Sequence, residues 1–406
     1  MNRVFRQLAL LKRKNWIMTL AVIALTIIGV LFIYSASAAS DDPRLRMLYK
    51  KQMIWLCPGL LAYISFSLID YRSLRKLAWG GYLFCVALLV LVLFVGVEVN
   101  SAKRSIAIPG LRIQPSELAK IAVILLLARR LSRPGQNLGS VSSVFSVLAL
   151  VAIPAVLIFV EPDLGTAMVF LPLMFIMMFA SGVPYRVLGL LILAGMAIVA
   201  LVLSIMFLPA KFDATDETQL AIMKAVGIGE YQRKRISVYL NPDSDPLYGG
   251  WNKRQSEIAI GSGGKFGKGF LEGTQNMLGY LPIYVAPTDF IFSVIAEEKG
   301  FLGSATILFL FAVIVVCGVM TALAAPDKLG RLLCVGVVAF IMSHALINIA
   351  MTVGLMPITG LPLPLLSYGG SFMVVTMATL GIVQSVHIRS KETGLTFEQG
   401  GLWQTG

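Results

Sequence analysis

Residues 16–35 read WIMTLAVIALTIIGVLFIYS, twenty positions without one Asp, Glu, Lys or Arg. At 1.5 Å per residue a helix of that length spans about 30 Å, the thickness of a bilayer's hydrocarbon core. The run is too long for the apolar core of a signal peptide, although the small residues Ser35-Ala36-Ser37-Ala38-Ala39 follow it. Comparable runs recur near 53–69, 78–96, 114–130, 143–160, 164–182, 188–208, 302–324, 332–355 and 367–388. Only helices and closed barrels satisfy the backbone in lipid, so these runs predict an all-α polytopic membrane protein with about ten transmembrane helices.

The whole chain agrees with that reading. Of 406 residues 57% are hydrophobic and only 14% charged, against about a quarter charged in an ordinary soluble domain. A soluble enzyme, a disordered chain and a fibrous protein are excluded. The net charge of +13 asks for a polyanion. Because the bases flank apolar runs, that polyanion is a membrane surface or lipid head group, not nucleic acid. Cys57, Cys85, Cys317 and Cys334 have no metal-site spacing and form no disulfide framework.

Lysine and arginine in the short loops set the orientation. With the N-terminus inside, the inside segments hold 16 of them and the short outside loops 7. Both termini are expected in the cytoplasm. Segment 209–301, between spans seven and eight, becomes one large extracytoplasmic loop. It carries turn chemistry at Asn241-Pro242-Asp243-Ser244-Asp245-Pro246 and recurrent apolar residues, including Ile258, Ile260 and Phe266. Packed loops of this length tend to be functional.

Polar residues at the span edges are the candidates for chemistry, and each has two readings. The stretch Gly261-Ser262-Gly263-Gly264-Lys265-Phe266-Gly267-Lys268-Gly269 gathers backbone N–H groups around a phosphate, or makes a tight surface turn. It is not a Walker A loop, since Ser262 stands where the first Gly should be and Gly269 where Ser or Thr should be. Glu117 and Lys120 share a helix face, as a structural ion pair or as a functional site within an apolar span. Asp163 caps the sixth helix, or joins Glu161 in holding a divalent cation that bridges phosphates. Arg233, Lys234 and Arg235 form a solvated charge run or a diphosphate clamp. Thr288 and Asp289 open a helix, or Asp289 is a base at the water–lipid boundary. Proline and glycine across Leu361–Ser371 suggest a broken or re-entrant segment lining a cavity. His344 and His387 read as packed and interfacial residues rather than metal ligands.

In sequence order, five stretches are specific together as none is singly: Gln114-Pro115-Ser116-Glu117-Leu118-Ala119-Lys120, Glu161-Pro162-Asp163-Leu164-Gly165-Thr166, Ile258-Ala259-Ile260-Gly261-Ser262-Gly263-Gly264, Thr288-Asp289-Phe290-Ile291-Phe292 and Pro362-Leu363-Pro364-Leu365-Leu366-Ser367-Tyr368-Gly369-Gly370-Ser371. With them the chain resembles the SEDS family (shape, elongation, division and sporulation proteins) over nearly its whole length. Ser244-Asp245-Pro246-Leu247 resembles the elongation members. The resemblance implies a single membrane domain over 1–406, with loop 209–301 carrying much of the active site. It implies a peptidoglycan glycosyltransferase that polymerises lipid II at the outer face of the bacterial cytoplasmic membrane, during elongation and cell-shape maintenance. A class B penicillin-binding protein and other elongation-complex proteins are the implied partners.

The family's essential Asp falls on Asp289, and its Glu and Lys fall on Glu117 and Lys120. Asp163, Arg233, Arg235, Gln255, Ser256, Lys268 and Ser367 are the expected substrate-binding residues. A divalent cation, magnesium or manganese, at Asp163 or Glu161 stays an open expectation. One departure is Ile283-Tyr284-Val285-Ala286-Pro287, which has no basic residue where many relatives carry one. The same basic cavity could serve a lipid II flippase, and a scaffold that recruits a synthase is the third reading.

Overall fold

The computed structural model describes residues 12–99, 102–108, 111–211 and 230–392. A helix lies over each expected span: α1 Trp16–Ala38, α2 Leu48–Leu68, α3 Tyr71–Val95, α4 Pro115–Leu131, α5 Val141–Val160, α6 Leu164–Ser181, α7 Tyr185–Lys211, α10 Ile291–Leu323, α11 Lys328–Thr352 and α12 Gly370–Glu392. Two further helices, α8 Glu230–Leu240 and α9 Gly249–Ser262, come between α7 and α10. Seven of the helices are long and apolar enough to cross a membrane: α1, α3, α5, α6, α10, α11 and α12. The apolar part of α7 is shorter, α4 has only 17 residues, and α2 falls outside the seven.

Local chemistry sets the helix starts. Asn15, Asp70, Ser140, Asp163 and Asp327 each accept a hydrogen bond from a backbone N–H in the first turn of α1, α3, α5, α6 and α11. Pro115 occupies the first position of α4, where its missing N–H costs nothing. Pro58, Pro154 and Pro172 lie inside helices, as membrane helices tolerate when neighbours satisfy the freed groups. Helix α11 is the most central. It packs against α4, α6, α10 and α12, while α12 also lies along α2. Close backbone approach makes the second contact possible: a methyl group at Gly381 would lie 2.6 Å from the Tyr63 carbonyl.

Two expectations are corrected. The protein is not wholly helical, because segment 97–113 forms a three-stranded antiparallel sheet. Its strands are β1 Val97–Val99, β2 Ala102–Ile108 and β3 Leu111–Ile113, with Val97 opposite Ser105 and Ile106 opposite Ile113. The β-branched Val97, Val99, Ile106, Ile108 and Ile113 suit extended backbone. The second correction concerns segment 209–301, of which residues 212–229 lie outside the described residues. Its described part is a folded layer of α8, α9 and short turns, and its last residues already belong to α10. The expected span 302–324 is the part of α10 beyond a break at Gly300, whose φ of 63° and ψ of −158° are not helical.

That break explains the glycine-rich stretch. It frees the carbonyls of Glu297 and Glu298, which accept from the N–H groups of Lys268 and Gly269 at 3.0 and 3.1 Å. The Phe301 and Leu302 N–H groups return to the carbonyls of Gly264 and Lys265. These N–H groups do not gather around an anion. A methyl group at Gly267, where φ is +81°, would come 2.1 Å from the Glu298 carbonyl oxygen. We therefore expect Gly267→Ala to cost at least 2 kcal/mol, about the sum of a backbone clash and a left-handed strain. Gly261→Ala, with nothing within 4 Å of the new methyl, should be neutral or slightly stabilising. Thermal unfolding of both variants in detergent measures the difference, and equal melting temperatures would remove the packing role.

Candidate active site

The site lies where the N-terminal ends of α4, α6 and α10 meet the C-terminal end of α11. Two irregular segments cross there, 282–290 and 356–369, and irregular backbone at this depth must find its own hydrogen-bond partners. Asn348, fully buried on α11, donates both amide hydrogens to them: to the Asp289 carbonyl at 2.9 Å and the Leu361 carbonyl at 2.7 Å. The Ser367 hydroxyl donates to the Thr288 carbonyl and accepts from the Leu363 N–H at 2.7 Å. The Tyr368 N–H reaches the Pro287 carbonyl at 2.9 Å. Leu361–Ser367 therefore runs non-helically through the protein interior before α12 begins, as its prolines and glycines suggested.

This stapling presents Asp289 half-buried beside Gly360. A methyl group at Gly360 would lie 3.5 Å from Asp289 Oδ2 and 3.6 Å from Arg235 Nη2, so the carboxylate and the guanidinium flank one glycine. Arg235 is anchored from α8 by donating to the Ile358 carbonyl at 2.5 Å. Burial pushes the Asp289 carboxyl up to about 6, with Asp163 adding repulsion, while Arg235, Thr288 and Arg104 oppose the rise. A cavity of about 340 Å³ opens beside Arg235, lined by Tyr239, Tyr248, Asn252 and Lys253 among others.

A second acidic group lies behind Asp289. Gly165 at the start of α6 abuts the Thr359 carbonyl, 2.7 Å from where a methyl group would stand. That contact places Asp163 and Glu161 against the Gly360 segment. Asp163 caps α6 through the Thr166 N–H at 3.1 Å, accepts from the Thr166 hydroxyl at 3.0 Å, and accepts from Gln114 Nε2 at 3.2 Å. Glu161 is buried and neither side-chain oxygen has a hydrogen-bond partner. Burial chiefly, then Asp163, raises its carboxyl to about 8 against the pull of Arg104. From β2, Arg104 donates to the carbonyls of Glu161 and Pro162.

Among the described residues no group of three or more His, Cys, Asp and Glu side chains converges as a metal site. The unpartnered oxygens of Glu161 beside Asp163 still fit a hard cation, since magnesium is commonly held by one or two carboxylates plus substrate phosphates.

Behind these acids the Lys120 ammonium is fully enclosed. It lies 2.9 Å from Glu117 and 3.0 Å from His344 Nε2. It also stands 5.4 Å from the ring centres of both Phe340 and Phe372, within cation–π range. A charged lysine has only donors, so His344 faces it with a lone pair. Lys120, read as half of an ion pair or as a functional residue, is enclosed by these partners and does not reach the cavity beside Arg235. His344 was read as a packed residue and is also a partner of Lys120.

The other expected residues divide. Arg235 faces Asp289, whereas Lys234 pairs with Asp245 at 3.2 Å. Arg233 is half-buried on the same helix. Lys268 is drawn to Glu297 at 2.7 Å, away from Asp289, because the docked glycine loop carries it there. Ser256 is buried, with its hydroxyl 2.7 Å from both the Ser293 hydroxyl and the Thr352 carbonyl, and its neighbour Gln255 is buried too. Ser256 and Ser367 each spend the hydroxyl proton on a backbone carbonyl. Arg104 and Asn348 were missed. Asn348 carried a usable signal, a polar side chain inside an apolar span; Arg104 carried none, since its role depends on an unforeseen sheet.

The family model for the cell cycle proteins FtsW, RodA and SpoVE matches residues 15–392. The chain belongs to this family. It is 36% identical over 374 residues to the peptidoglycan glycosyltransferase MrdB of Escherichia coli K12, covering 92% of this chain and 93% of that one. To the peptidoglycan glycosyltransferase RodA of Treponema pallidum it is 33% identical over 436 residues, covering 92% and 98%. Among solved structures, the Thermus thermophilus rod shape determining protein RodA is similar with a TM-score of 0.64 at 29% identity, covering 92% and 96%. A chain of a peptidoglycan synthase complex that coordinates polymerisation and crosslinking is similar with a TM-score of 0.73 at 30% identity, covering 93% and 98%. The protein is a multi-pass membrane protein with the RodA-like fold.

The buried pair predicts an asymmetry. Lys120→Met leaves Glu117 charged and unpaired in the interior, which should cost about 3–5 kcal/mol. The double variant Lys120→Met with Glu117→Gln removes both charges and should regain most of that loss. Unfolding of the two proteins in detergent checks this; a double variant no more stable than the single one would show that the pair is not the unit.

Proposed function

We propose that the protein is a peptidoglycan glycosyltransferase that polymerises lipid II into glycan strands at the outer face of the bacterial cytoplasmic membrane. On this reading it works during elongation and cell-shape maintenance. It has ten spans and cytoplasmic termini, with α8, α9 and the Asp289 site outside, and a class B penicillin-binding protein crosslinks the product. The observation that carries the proposal is Asp289. A half-buried carboxyl held near a pKa of 6 by burial, beside a guanidinium and an open cavity, is suited to taking a proton near neutral pH.

In the reaction, an acceptor sugar hydroxyl attacks the anomeric carbon of the lipid-linked donor. The bond from that carbon to the diphosphate oxygen breaks, and the hydroxyl proton passes to the Asp289 carboxylate. Arg235, with Arg104 also close enough to act on Asp289 and Arg233 on the same helix as Arg235, offsets the charge of the departing diphosphate. Tyr239 and Tyr248 give the neighbouring cavity flat apolar faces for a sugar ring. Glu117, Lys120 and His344 act as positioning residues behind Asp163. A divalent cation held by Glu161 and Asp163 would supply further positive charge to the leaving group.

One observation favours this reading over a flippase. Beyond Lys120, α4 presents only Ala, Val, Ile and Leu until Arg129. A transporter would need a polar path across the membrane, whereas along α4 the charged residues near the site are followed by eight aliphatic ones.

Asp289→Asn keeps the shape but cannot take the proton. Purified Asp289→Asn should bind lipid II as the wild type does and form glycan polymer at least roughly a hundredfold more slowly. Near-normal polymer would remove Asp289 as the base. The wild-type rate should also report the raised carboxyl. A base is active when deprotonated, so the single-turnover rate should be flat above about pH 7. It should fall about tenfold per pH unit below the Asp289 pKa of about 6. A rate unchanged down to pH 5 would contradict the assignment.

A further inference from the structure

A second cavity, of about 500 Å³, opens at the other end of the bundle. It is formed by Arg72, Arg75 and Lys76 at the start of α3, Arg129 at the end of α4, and Lys328 with Asp327 at the start of α11. Asn348, which holds the Asp289 segment, stands twenty residues along α11 from Lys328, about 30 Å at helical rise. The two cavities therefore face opposite surfaces of the membrane.

Five cations meet one carboxylate here, and that carboxylate is already used. Asp327 accepts from the Tyr71 hydroxyl at 2.9 Å, from Arg72 Nε at 3.2 Å and from the Gly330 N–H at 2.7 Å. Arg129 donates to the Arg75 carbonyl at 2.8 Å, which fixes its guanidinium at the rim. Among the described residues no carboxylate pairs with Arg75, Lys76, Arg129 or Lys328. Nothing in the proposed chemistry uses this concentration of positive charge.

The neighbouring surface indicates what neutralises it. Arg72, Arg75 and Lys76 share one face of α3, and helical spacing continues that face as Trp79 and Leu83. These two are 39% and 59% exposed. A basic cavity at the helix ends thus runs into an apolar strip along the helix, with a tryptophan at the level where membrane interfaces favour one. A soluble phosphate would use only the cavity, and an acidic peptide would have no use for a strip inside the membrane.

We propose that this cavity binds the phosphate head group of an anionic phospholipid of the cytoplasmic leaflet, with an acyl chain lying along Trp79 and Leu83. The leaflet assignment rests on the orientation proposed above; the cavity and its charge do not. Basic pockets between spans at the cytoplasmic side are suited to such head groups.

The test is native mass spectrometry of the full chain in detergent, titrated with dioleoylphosphatidylglycerol or dioleoylphosphatidylcholine. The wild type should retain phosphatidylglycerol and not phosphatidylcholine. Arg75→Gln with Lys76→Gln, two residues whose side chains donate no hydrogen bond among the described residues, should weaken phosphatidylglycerol at least about tenfold. Lys391→Gln, an exposed charge elsewhere at the same end, should not. As a measurement independent of variant folding, a photoreactive phosphatidylglycerol should crosslink to wild-type residues 72–83, 129 or 328. Equal retention by wild type and double variant, or crosslinks elsewhere, overturns the proposal. So does glycerol phosphate binding as tightly as the lipid, which would make this a soluble-anion site, or displacement of bound lipid by an acidic peptide at equal concentration.

Failure of the enzymatic reading is separable, because Asp289→Asn should retain phosphatidylglycerol as the wild type does. A wrong orientation is separable too: labelling of Ser244→Cys from the cytoplasmic side alone would move the site to the other leaflet without changing lipid retention.

Discussion

Asn348 is a buried polar side chain in a largely apolar helix, and both its amide hydrogens are spent on backbone carbonyls. In a bilayer an unsatisfied carbonyl costs several kcal/mol, so two non-helical segments can cross at this depth only if something donates to them. Asn348 does so for Asp289 and Leu361 together, and Ser367 repeats the device for Thr288. The position of the Asp289 carboxylate follows from its own main chain being held. The carboxylate and Arg235 then both pack beside Gly360, whose φ of +75° holds the chain in a left-handed turn there.

The same constraint separates what the sequence made legible from what it hid. The apolar runs placed a helix at every expected span, because span length and loss of charge are properties of one segment alone. The i,i+3 spacing of Glu117 and Lys120 likewise placed them together. Roles that depend on a partner far along the chain were not legible. Lys268 looked like a phosphate contact until the break at Gly300 supplied carbonyls for the loop that carries it. Ser256 and Ser367 looked like polar residues free for a substrate, and each serves backbone more than 70 residues distant. Segment 97–113 was counted as a loop because three short strands leave no long periodic pattern. Arg104 was overlooked with it.

The charges fall into two systems separated by an apolar layer. In one, Asp289, Arg235, Asp163, Glu161 and Arg104 lie near the ends of helices, where water and a lipid diphosphate can both arrive. In the other, Arg72, Arg75, Lys76, Arg129 and Lys328 crowd the opposite ends of α3, α4 and α11. Helix α4 has one polar patch at each end and an aliphatic middle. On the orientation proposed above this is the positive-inside bias, with Arg75, Lys76, Arg129 and Lys328, none of them paired with a carboxylate among the described residues, gathered at one end of the bundle.

Burial is the element common to the acids of the first system, and it gives them different tasks. Glu161 has no hydrogen bond and a like charge beside it, so its carboxyl is lifted furthest, to about 8, and a cation bound there would offset that rise. Asp163, with two hydroxyl or amide donors and a backbone N–H, is held as the acceptor that orders the start of α6. Asp289 lies between these cases. It is buried enough to lift its carboxyl toward neutrality, yet its guanidinium neighbour keeps that rise to about 6. A carboxyl on a fully exposed loop would be too weak a base, and one buried without Arg235 would be protonated before a substrate arrived. On the proposed reading, the half-buried geometry that Asn348 and Ser367 hold is therefore also what suits this residue to proton transfer.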